Sequence, residues 1–368
     1  MKKITLFLAC LAAFAMVFGF VVTAAMADTD LYGSVRFRTY WADKDKDFSG
    51  TGYDDEDLEW RIGYLSRWGV NYQSGDIKGK VELDTRDSDG DEGSAELGDV
   101  RVRHIYGEWN FGPGKLLIGQ TFNPCTVYSS GLGYYSGGIQ KFGGLGLKYF
   151  RTSQIRLTFG DLVLAFLSPD TEQDYGYADV DTTIPRIEAR YSFKFDPLTL
   201  DIMGGWQTYD IVDATDHEES IDSYLIGAYA TLNLGPAYIK GVIDYAQNGG
   251  NYGLWSATVV NQNALIEGGS VKDTELWGGS IVAGYKLSDT LTLEGSVGLA
   301  SSENTDSAFK NEDDAQVYTL LAKITLAPGV IVQPELIFED RDEKIVNDVK
   351  TKKGDATIFG VFWMINFK

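Results

Sequence analysis

The chain has 368 residues, and its 53 Asp and Glu against 32 Lys and Arg give a formal net charge of −21. Such an acidic chain repels phosphate backbones, so we expect no nucleic-acid partner. Beyond residue 27 no apolar run approaches the roughly 18 residues of a membrane helix, which excludes a helical membrane protein.

The N-terminus has the design of a secretory signal peptide. Two lysines precede an apolar run over residues 4–22, and a small-x-small pattern ends at Ala27. We therefore expect residues 1–27 to be cleaved and residues 28–368 to form the mature protein as one domain. An uncleaved anchor helix is the alternative. Cleavage at Cys10, as in a lipoprotein, is rejected because it would leave much of the apolar run exposed.

Apolar and polar residues alternate through the mature chain, and helical spacing is nearly absent. Side chains alternate across a β-strand, so residues 31–41 place Leu31 on an apolar face and Arg36 and Arg38 on the opposite, polar face. The same period recurs in residues 58–73 and in most later segments. The chain is therefore predicted to be all-β.

Long loops and short turns alternate along the chain, and the number of these connections gives the number of strands. The long loops are predicted at residues 42–57, 87–99, 123–144, 168–183, 210–220, 248–272, 302–315 and 340–354. The short turns, rich in Gly, Pro, Asp and Ser, are predicted at residues 74–76, 112–114, 160–161, 196–197, 235–236, 288–289 and 328–329. Eight loops and seven turns join sixteen strands, to within one hairpin.

All the long loops fall at one end and all the short turns at the other, which is the layout of a membrane β-barrel. A soluble sandwich has no reason for this asymmetry. An unpaired backbone group in hydrocarbon costs several kcal/mol, so a spanning sheet closes on itself, with an apolar face to lipid and a polar face to water. Aromatic residues near the strand ends fit the interface girdles of such a barrel. They are Trp41, Trp60, Trp68, Tyr72, Trp109, Phe111, Phe193, Phe195, Trp206, Tyr209, Trp277, Tyr285, Phe338, Trp363 and Phe367.

One long stretch is unlike the rest of this acidic chain. Residues 109–160 contain no Asp or Glu, and the loop at residues 123–144 is small, aromatic and rich in glycine. Every other long loop is interpreted as acidic and water-facing, so we expect this one to fold inward, with the strands as a wall around it. Its candidate constriction residues are Tyr128, Tyr134, Tyr135 and Lys141. Cys125, the one cysteine of the mature chain, is expected to be a buried packing residue without a disulfide partner.

Short segments along the mature chain match those of a known family. They are Leu31-Tyr32-Gly33-Ser34 in the opening strand, Arg103 to Tyr106 with residues 114–116 and 118–120 in the fourth and fifth strands, residues 149–156 at the return from the third loop, and the near-terminal Phe367. With sixteen strands and a signal peptide, the sequence resembles the trimeric general porins of Gram-negative outer membranes. The resemblance implies a 16-stranded antiparallel transmembrane β-barrel with an inward-folded third loop, assembled as a homotrimer among outer-membrane lipid and lipopolysaccharide. It also implies passive diffusion of ions and small hydrophilic solutes.

A cluster of basic residues falls on the polar faces of strands that a barrel brings together. The predicted pore-constriction wall consists of Arg36, Arg38, Arg61, Arg67, Lys80, Arg103 and Arg156, and the predicted lumen acids are Glu59, Glu82, Asp84 and Glu108. The phase of residues 100–111 stays open, because His104 and Arg103 face opposite ways in a regular strand. Facing a third loop that lacks the carboxylates usual in the family, such a cluster orients polar solutes and favours anions locally. The alternative is that these charges only solvate a wide lumen, some of them paired with the acids.

The acidic external loops act on selectivity in the opposite sense. Aspartates alternate near residues 43–47 and 87–91 as in calcium loops, but the Gly and Glu that an EF-hand needs at its sixth and twelfth positions are missing. We interpret these loops as solvated, with divalent bridging to lipopolysaccharide as the alternative. They concentrate cations at the mouth while the basic wall favours anions, so the sequence leaves net selectivity open.

No catalytic constellation is recognisable. The chain has two histidines, His104 and His217, and lacks a G-x-S-x-G elbow, an H-E-x-x-H zinc motif and a phosphate loop. We expect no enzymatic activity, no cofactor and no metal site. Two alternatives to the porin stay open. One is a substrate-selective channel for a sugar or an anion, in which the loop tyrosines stack on sugar rings. The other is a secreted soluble β-protein that binds glycans.

Overall fold

A computed structural model describes residues 28–49, 54–63, 65–85, 100–134, 138–146, 151–171, 179–212, 217–254, 256, 259–341 and 343–368. The predicted signal peptide and the predicted constriction residue Tyr135 lie outside the described residues.

The described chain is nearly all β-strand. Its strands are β1 (Asp28–Lys44), β2 (Asp55–Ile62), β3 (Ser66–Ser74), β4 (Ile77–Thr85), β5 (Val100–Asn110), β6 (Lys115–Phe122), β7 (Arg151–Phe159), β8 (Leu162–Leu167), β9 (Asp179–Asp181), β10 (Arg186–Phe195), β11 (Leu198–Val212), β12 (Glu218–Leu234), β13 (Ala237–Gln247), β14 (Leu265–Glu267), β15 (Ser270–Lys272), β16 (Thr274–Lys286), β17 (Leu291–Asn304), β18 (Asn311–Ala327), β19 (Val330–Asp340), β20 (Glu343–Val346), β21 (Val349–Lys352) and β22 (Asp355–Phe367). The helical pieces are α1 (Lys46–Ser49), α2 (Gly249–Tyr252) and a 3-10 turn (Gln140–Phe142). Neither of the two helices in the described ranges is long and apolar enough to cross a membrane.

Twenty of these strands form one antiparallel sheet that closes into a barrel. Both β2 and β3 pair with β1 and make one wall strand, and β9 with β10 does the same against β11. The hairpin β20–β21 lies beyond the wall, so the twenty strands leave sixteen wall strands within the described residues. The last strand, β22, closes the sheet by pairing with both β1 and β19. The predicted 16-stranded antiparallel barrel is confirmed.

The seven predicted short turns are all present in the described chain, and they lie at the same end of the barrel. The long connections lie at the other end. The loops predicted at residues 210–220 and 302–315 are shorter than expected, because β11 with β12 and β17 with β18 continue into them as paired strands. Backbone pairing does not need apolar side chains, so these hairpins rise beyond the apolar part of the wall.

The outward faces of the wall strands are apolar, as the alternation predicts. Six aliphatic or aromatic side chains from six wall strands are each more than half exposed: Leu58, Ile118, Ile226, Leu299, Leu320 and Phe359. Trp60, Trp109 and Trp277 of the predicted girdles are exposed as well. The girdle prediction is wrong for Tyr209, whose ring is 2% exposed and whose hydroxyl accepts a hydrogen bond from Asn251 inside the barrel (2.8 Å). A contiguous apolar surface of this extent marks a membrane or partner surface.

Two loops fold into the barrel. The first inner loop joins β6 to β7 and is described at residues 123–134 and 138–146. The second inner loop joins β13 to β16 and is described at residues 248–254, 256 and 259–273. Ile139, Phe142 and Leu145 of the first loop are fully buried. They share one apolar core with Tyr252, Leu254, Val259 and Val260 of the second loop and with inward-facing Met203, Leu225, Val242, Leu276, Val282, Val317 and Ile337 of the wall.

This core confirms that the third long loop folds inward. The expectation that every other long loop faces water is wrong for the second inner loop. A signal for it was present, because residues 245–266 also contain no Asp or Glu.

Candidate functional site: a basic opening beside the first inner loop

Among the described residues, an open part of the lumen lies between the first inner loop and the wall strands β1, β3, β4 and β5. A cavity of about 360 Å³ is lined there by a basic wall and, opposite it, by the loop. The basic side chains are Arg36, Arg67, Lys80, Arg103 and Lys323, and the loop residues are Tyr128, Ser130, Gly131, Leu132 and Gly133. The cavity therefore brings together four of the predicted wall residues and one predicted loop tyrosine.

Antiparallel pairing places the wall side chains side by side. Ser34 pairs with Arg67, and Arg67 with Asp84, so the inner faces of β1, β3 and β4 are in register. With a side-chain period of two, Arg36 and Lys80 then share the lumen face with Arg67. The alternating polar positions in the sequence predict this arrangement.

A β-bulge places Arg103 on the lumen side. The β4–β5 register shifts so that Glu82 pairs with His104 while the next residue of β4, Leu83, pairs with Val102. Arg103 is the extra residue, and both it and His104 are buried inside the barrel. A bulge shifts the side-chain alternation by one residue within the strand, so no single phase fits residues 100–111 and the sequence could not settle it.

Glu82 neutralises part of the basic wall. It accepts hydrogen bonds from Arg103 Nε and from the Tyr32 hydroxyl, each at 2.5 Å. One of its oxygens also lies 3.5 Å from Lys80 Nζ and 3.8 Å from Arg67 Nε. A buried carboxylate is stable only with partners of this kind.

Asp84 forms a second pairing centre. It lies 2.7 Å from Arg101 and 3.1 Å from Arg103, which it shares with Glu82. The two carboxylates thus pair with four cations, and the wall around them keeps a positive balance. Some of the described wall charges are therefore paired, and an excess of cations remains on the lumen face.

Arg36 has no carboxylate partner in the described part of the chain. Its guanidinium stacks over the ring of Phe362 at 5.9 Å and lines the cavity. Its Nε is buried without a hydrogen-bond partner. A guanidinium in this state offers directed donors to an anion that enters the cavity.

Arg38 and Arg61 belong to a separate group nearer the loop end. Glu59 lies 3.3 Å from Arg61 and 3.8 Å from Arg38. Arg38 also donates to the backbone oxygen of Tyr134 and stacks over its ring at 5.5 Å. This group therefore holds the first inner loop against the wall.

Two other predicted site residues lie away from the cavity. Arg156 on β7 donates to Gln154 (2.9 Å) and to the backbone oxygen of Phe122. Glu108 lies 3.8 Å from Lys115, close to the turn that joins β5 to β6. Their roles in a constriction stay predictions.

Carboxylates of the wall fix the tip of the first inner loop, which has none of its own. Glu294 on β17 accepts a hydrogen bond from the backbone N–H of Gly131 (2.7 Å). Glu335 on β19 accepts from the backbone N–H groups of Gly133 (2.6 Å) and Tyr134 (3.0 Å). Both carboxylates are buried, so each bond replaces a hydrogen bond that water would otherwise supply.

Neither anchor was predicted from the sequence. The available signal was weak, an acid at an inner position next to an apolar one, such as Glu335 two residues before Ile337. Its partner was not readable, because the contact joins residues 202 positions apart.

Glycine allows the first inner loop to lie directly on the wall. Gly143 has φ +82°, and a Cβ at this position would collide with the backbone oxygen of Leu299 and the backbone nitrogen of Gly279. The loop therefore packs against bare backbone of β16 and β17.

The predicted loop residues occupy different places. Tyr128 lines the cavity, edge-on to Phe122 at 5.6 Å. Tyr134 packs against Tyr40 at 4.9 Å, outside the cavity. Lys141 is half-buried away from it; burial lowers the pKa of its ammonium, and the nearby Glu339 carboxylate acts in the opposite direction.

The two histidines lie in different parts of the barrel, each beside its own polar neighbour. His104 Nδ1 hydrogen-bonds with Thr121 Oγ1 inside the barrel (3.0 Å), and His217 lies 3.7 Å from Glu219 at the loop end. In the part of the chain that the structure describes, no three His, Cys, Asp or Glu side chains group to hold a metal ion.

Solved structures of outer-membrane proteins have a similar fold. The outer membrane channel DcaP of Acinetobacter baumannii is 17% identical, with a TM-score of 0.73, covering 94% of this chain and 99% of that one. The trimer form of OmpT, an outer membrane protein of Vibrio cholerae, is 18% identical with a TM-score of 0.61 over 93% of this chain and 99% of that one. An anion-selective porin from Comamonas acidovorans is 16% identical with a TM-score of 0.62 over 93% of this chain and all (100%) of that one. The chain thus has the fold of outer-membrane porins and channels.

No protein-family model and no curated protein matches the sequence.

Proposed function

We propose that this protein is an outer-membrane porin, a water-filled channel through which ions and small hydrophilic solutes diffuse down their gradients. No step is catalytic, and no cofactor takes part. Aperture and electric field at the opening set which solutes pass.

The observation that carries this proposal is the contrast between the two faces of one closed sheet. The outer face exposes aliphatic and aromatic side chains such as Leu320 (61%), whereas the inner face carries Arg36, Arg67 and Lys80 around a cavity. Such a sheet is stable where its outer face meets hydrocarbon and its inner face meets water.

The protein lies in the cell outer membrane, as its structural neighbours do. Contact there with lipid and lipopolysaccharide, after export through the periplasm, is part of the proposal, and the apolar outer face supports it. We also propose a homotrimer. The trimer form of the structurally similar OmpT supports it.

Single-channel recording of the purified mature protein in a planar bilayer tests this function. Under a salt gradient we expect stepwise conductance increases in groups of three from protein that is heat-modifiable on gels. Absence of any current would contradict an open channel. Extraction from cells by plain buffer without detergent would contradict the membrane barrel and favour a secreted glycan-binding protein.

One observation favours a second candidate, a channel selective for anions. The cavity is lined by cations on the wall and by a loop without Asp or Glu, and Arg36 has no acid partner among the described residues. A reversal potential of the anion-selective sign in the same recording would support it.

A sugar-selective channel is less well supported. The ring of Tyr134 is covered by Arg38 and Tyr40, which leaves Tyr128 as the described loop tyrosine on the cavity. Saturable block of the current by one sugar would favour this reading.

A further inference from the structure

Glu188 on β10 lies where the two inner loops meet. The side chain is 0% exposed, and each of its oxygens is bound to a different loop. One oxygen accepts the backbone N–H of Cys125, the third residue of the first loop, at 2.9 Å. The other accepts the hydroxyl of Tyr252, in the second loop, at 3.1 Å.

Arg186, two residues earlier on the same strand, completes the junction. Its Nε lies 3.4 Å from Glu188, and a terminal nitrogen donates to the backbone oxygen of Tyr252 at 3.1 Å. The other terminal nitrogen contacts Thr152, where the first loop returns to the wall (3.3 Å), and the guanidinium stacks over the Tyr252 ring at 5.1 Å. One buried ion pair therefore holds both ends of the first loop and the helical turn of the second.

The wall is shaped to receive this contact. A Cβ on Gly205 of β11 would collide with the Tyr252 hydroxyl, so a larger residue there would displace the ring. One residue before Tyr252, the backbone oxygen of Asn251 accepts a hydrogen bond from Gln207 of β11 (2.8 Å). The second loop is thus fastened at a defined position inside the lumen.

We infer that the second inner loop is a second constriction element and that Glu188 with Arg186 positions it on the first, so that the two loops narrow the lumen as one unit. This inference rests on the proposed channel function. It follows that loosening the second loop at Tyr252 also loosens the first loop at Cys125. Removing the Tyr252 hydroxyl leaves the buried Glu188 carboxylate with one hydrogen-bond donor fewer. We therefore expect the hydrogen bond that the Cys125 N–H donates to Glu188, at the start of the first loop, to weaken as well.

The protein carries its own reporter of this movement. Cys125 is fully buried, and burial, followed by the adjacent Glu188 carboxylate, raises the pKa of its thiol well above the usual range. Both effects suppress the thiolate and hence its reaction with maleimides. The only other cysteine of the sequence is Cys10, in the predicted signal peptide, and peptide mapping separates the two.

The experiment measures the rate at which a membrane-impermeant maleimide labels Cys125 in folded, heat-modifiable protein. We compare the wild type with Tyr252→Phe, Gly205→Ala and Glu188→Gln. The matched control is Tyr318→Phe, which removes a phenol hydroxyl from the outer face of the barrel. We expect labelling to rise by about tenfold in Tyr252→Phe, the size expected for one hydrogen bond to a charged group, and to stay unchanged in the control.

Wild-type labelling rates in both Tyr252→Phe and Gly205→Ala would overturn the coupling, whatever Glu188→Gln does. A variant with residues 250–263 replaced by a short Gly-Ser turn should conduct more current per channel than the wild type. Unchanged conductance in that variant would overturn the role of the second loop as a constriction. The labelling rate can be measured on a barrel that carries no current. A wild-type barrel without conductance would therefore contradict the proposed channel function, and the labelling of Cys125 would still test the coupling between the two loops.

Discussion

The two sides of the lumen differ in what stabilises them: apolar packing on one side and charge pairing around a cavity on the other. From β12 to β19 the inner face carries apolar side chains such as Val242 and Val317, and loop side chains such as Phe142 and Leu145 pack on them as in the core of a soluble domain. From β1 to β5 the inner face is charged and borders a cavity. A membrane barrel needs apolar side chains only on its outer face, so the inner face can carry either apolar or charged side chains. The shape of an opening therefore depends on where a loop finds an apolar wall and buried acceptors to dock on.

The largest effect is expected from breaking the packed side. Phe142→Ala removes a fully buried ring and should lower the free energy of unfolding by about 3–5 kcal/mol, measured by denaturant titration in detergent. The control is Phe359→Ala, which removes the same ring from the outer face, where it is 56% exposed. Equal losses in the two variants would mean that the buried loop ring contributes no more to stability than a ring on the outer face.

A second substitution tests the close approach of loop and wall. Gly143→Ala must accommodate a positive φ and a clash with wall backbone, whereas Gly160→Ala, in a turn at φ +58°, meets nothing within 4 Å. We expect Gly160→Ala to cost about 1–2 kcal/mol from the backbone alone and Gly143→Ala to cost more. Thermal gel-shift midpoints compare them, and identical midpoints would contradict the docked position of Gly143.

The charged side is tested through ion selectivity. Removing one unit charge close to the ion path changes the electrostatic energy of a passing ion by about 1 kcal/mol at water-like permittivity, which corresponds to about a fivefold change in permeability. Arg36→Ala with Arg67→Ala should therefore shift the reversal potential toward cation selectivity. Lys286→Ala, at an exposed turn beside Asp289, serves as the control and should leave it unchanged. An unchanged potential in the double variant would place the narrowest point elsewhere.

The smallest effect is expected from acids at the mouth. Asp55 and Asp57 flank Lys44 on partly exposed strand ends, at 3.9 Å and 3.7 Å. Their charges are screened over about 30 Å at 0.01 M salt but over only about 3 Å at 1 M. Asp55→Asn with Asp57→Asn should lower cation permeability slightly at low salt and leave it unchanged at 1 M. A shift that persists at 1 M would place these acids on the ion path.

Features that repeat locally were predictable from the sequence. The seven turns follow from Gly, Pro and Asp in short polar breaks, and the lumen positions of Arg36, Arg67 and Lys80 follow from a side-chain period of two. The inward fold of residues 123–144 followed from a composition that water would not favour.

Features that depend on pairing across the barrel were not predictable. Arg103 joins the wall through a bulge, and Arg38 is used to hold a loop. Glu188, Glu294 and Glu335 act on backbone groups far away in the chain, and no local pattern identifies those partners. The second inner loop was overlooked because its acid-free stretch is shorter and ends in an exposed hairpin.

The seam between β1 and β22 has a kinetic consequence. Trp363 Nε1 donates to Thr39 Oγ1 across this seam at 2.9 Å, although the two residues are 324 positions apart. Contacts of such sequence separation form late, because the chain entropy lost in closing the ring is recovered only when the last strand pairs. Until then β1 and β19 remain open edges able to pair with another chain. Ring closure therefore competes with aggregation through these open edges while the barrel is being inserted, and we expect folding to be slow.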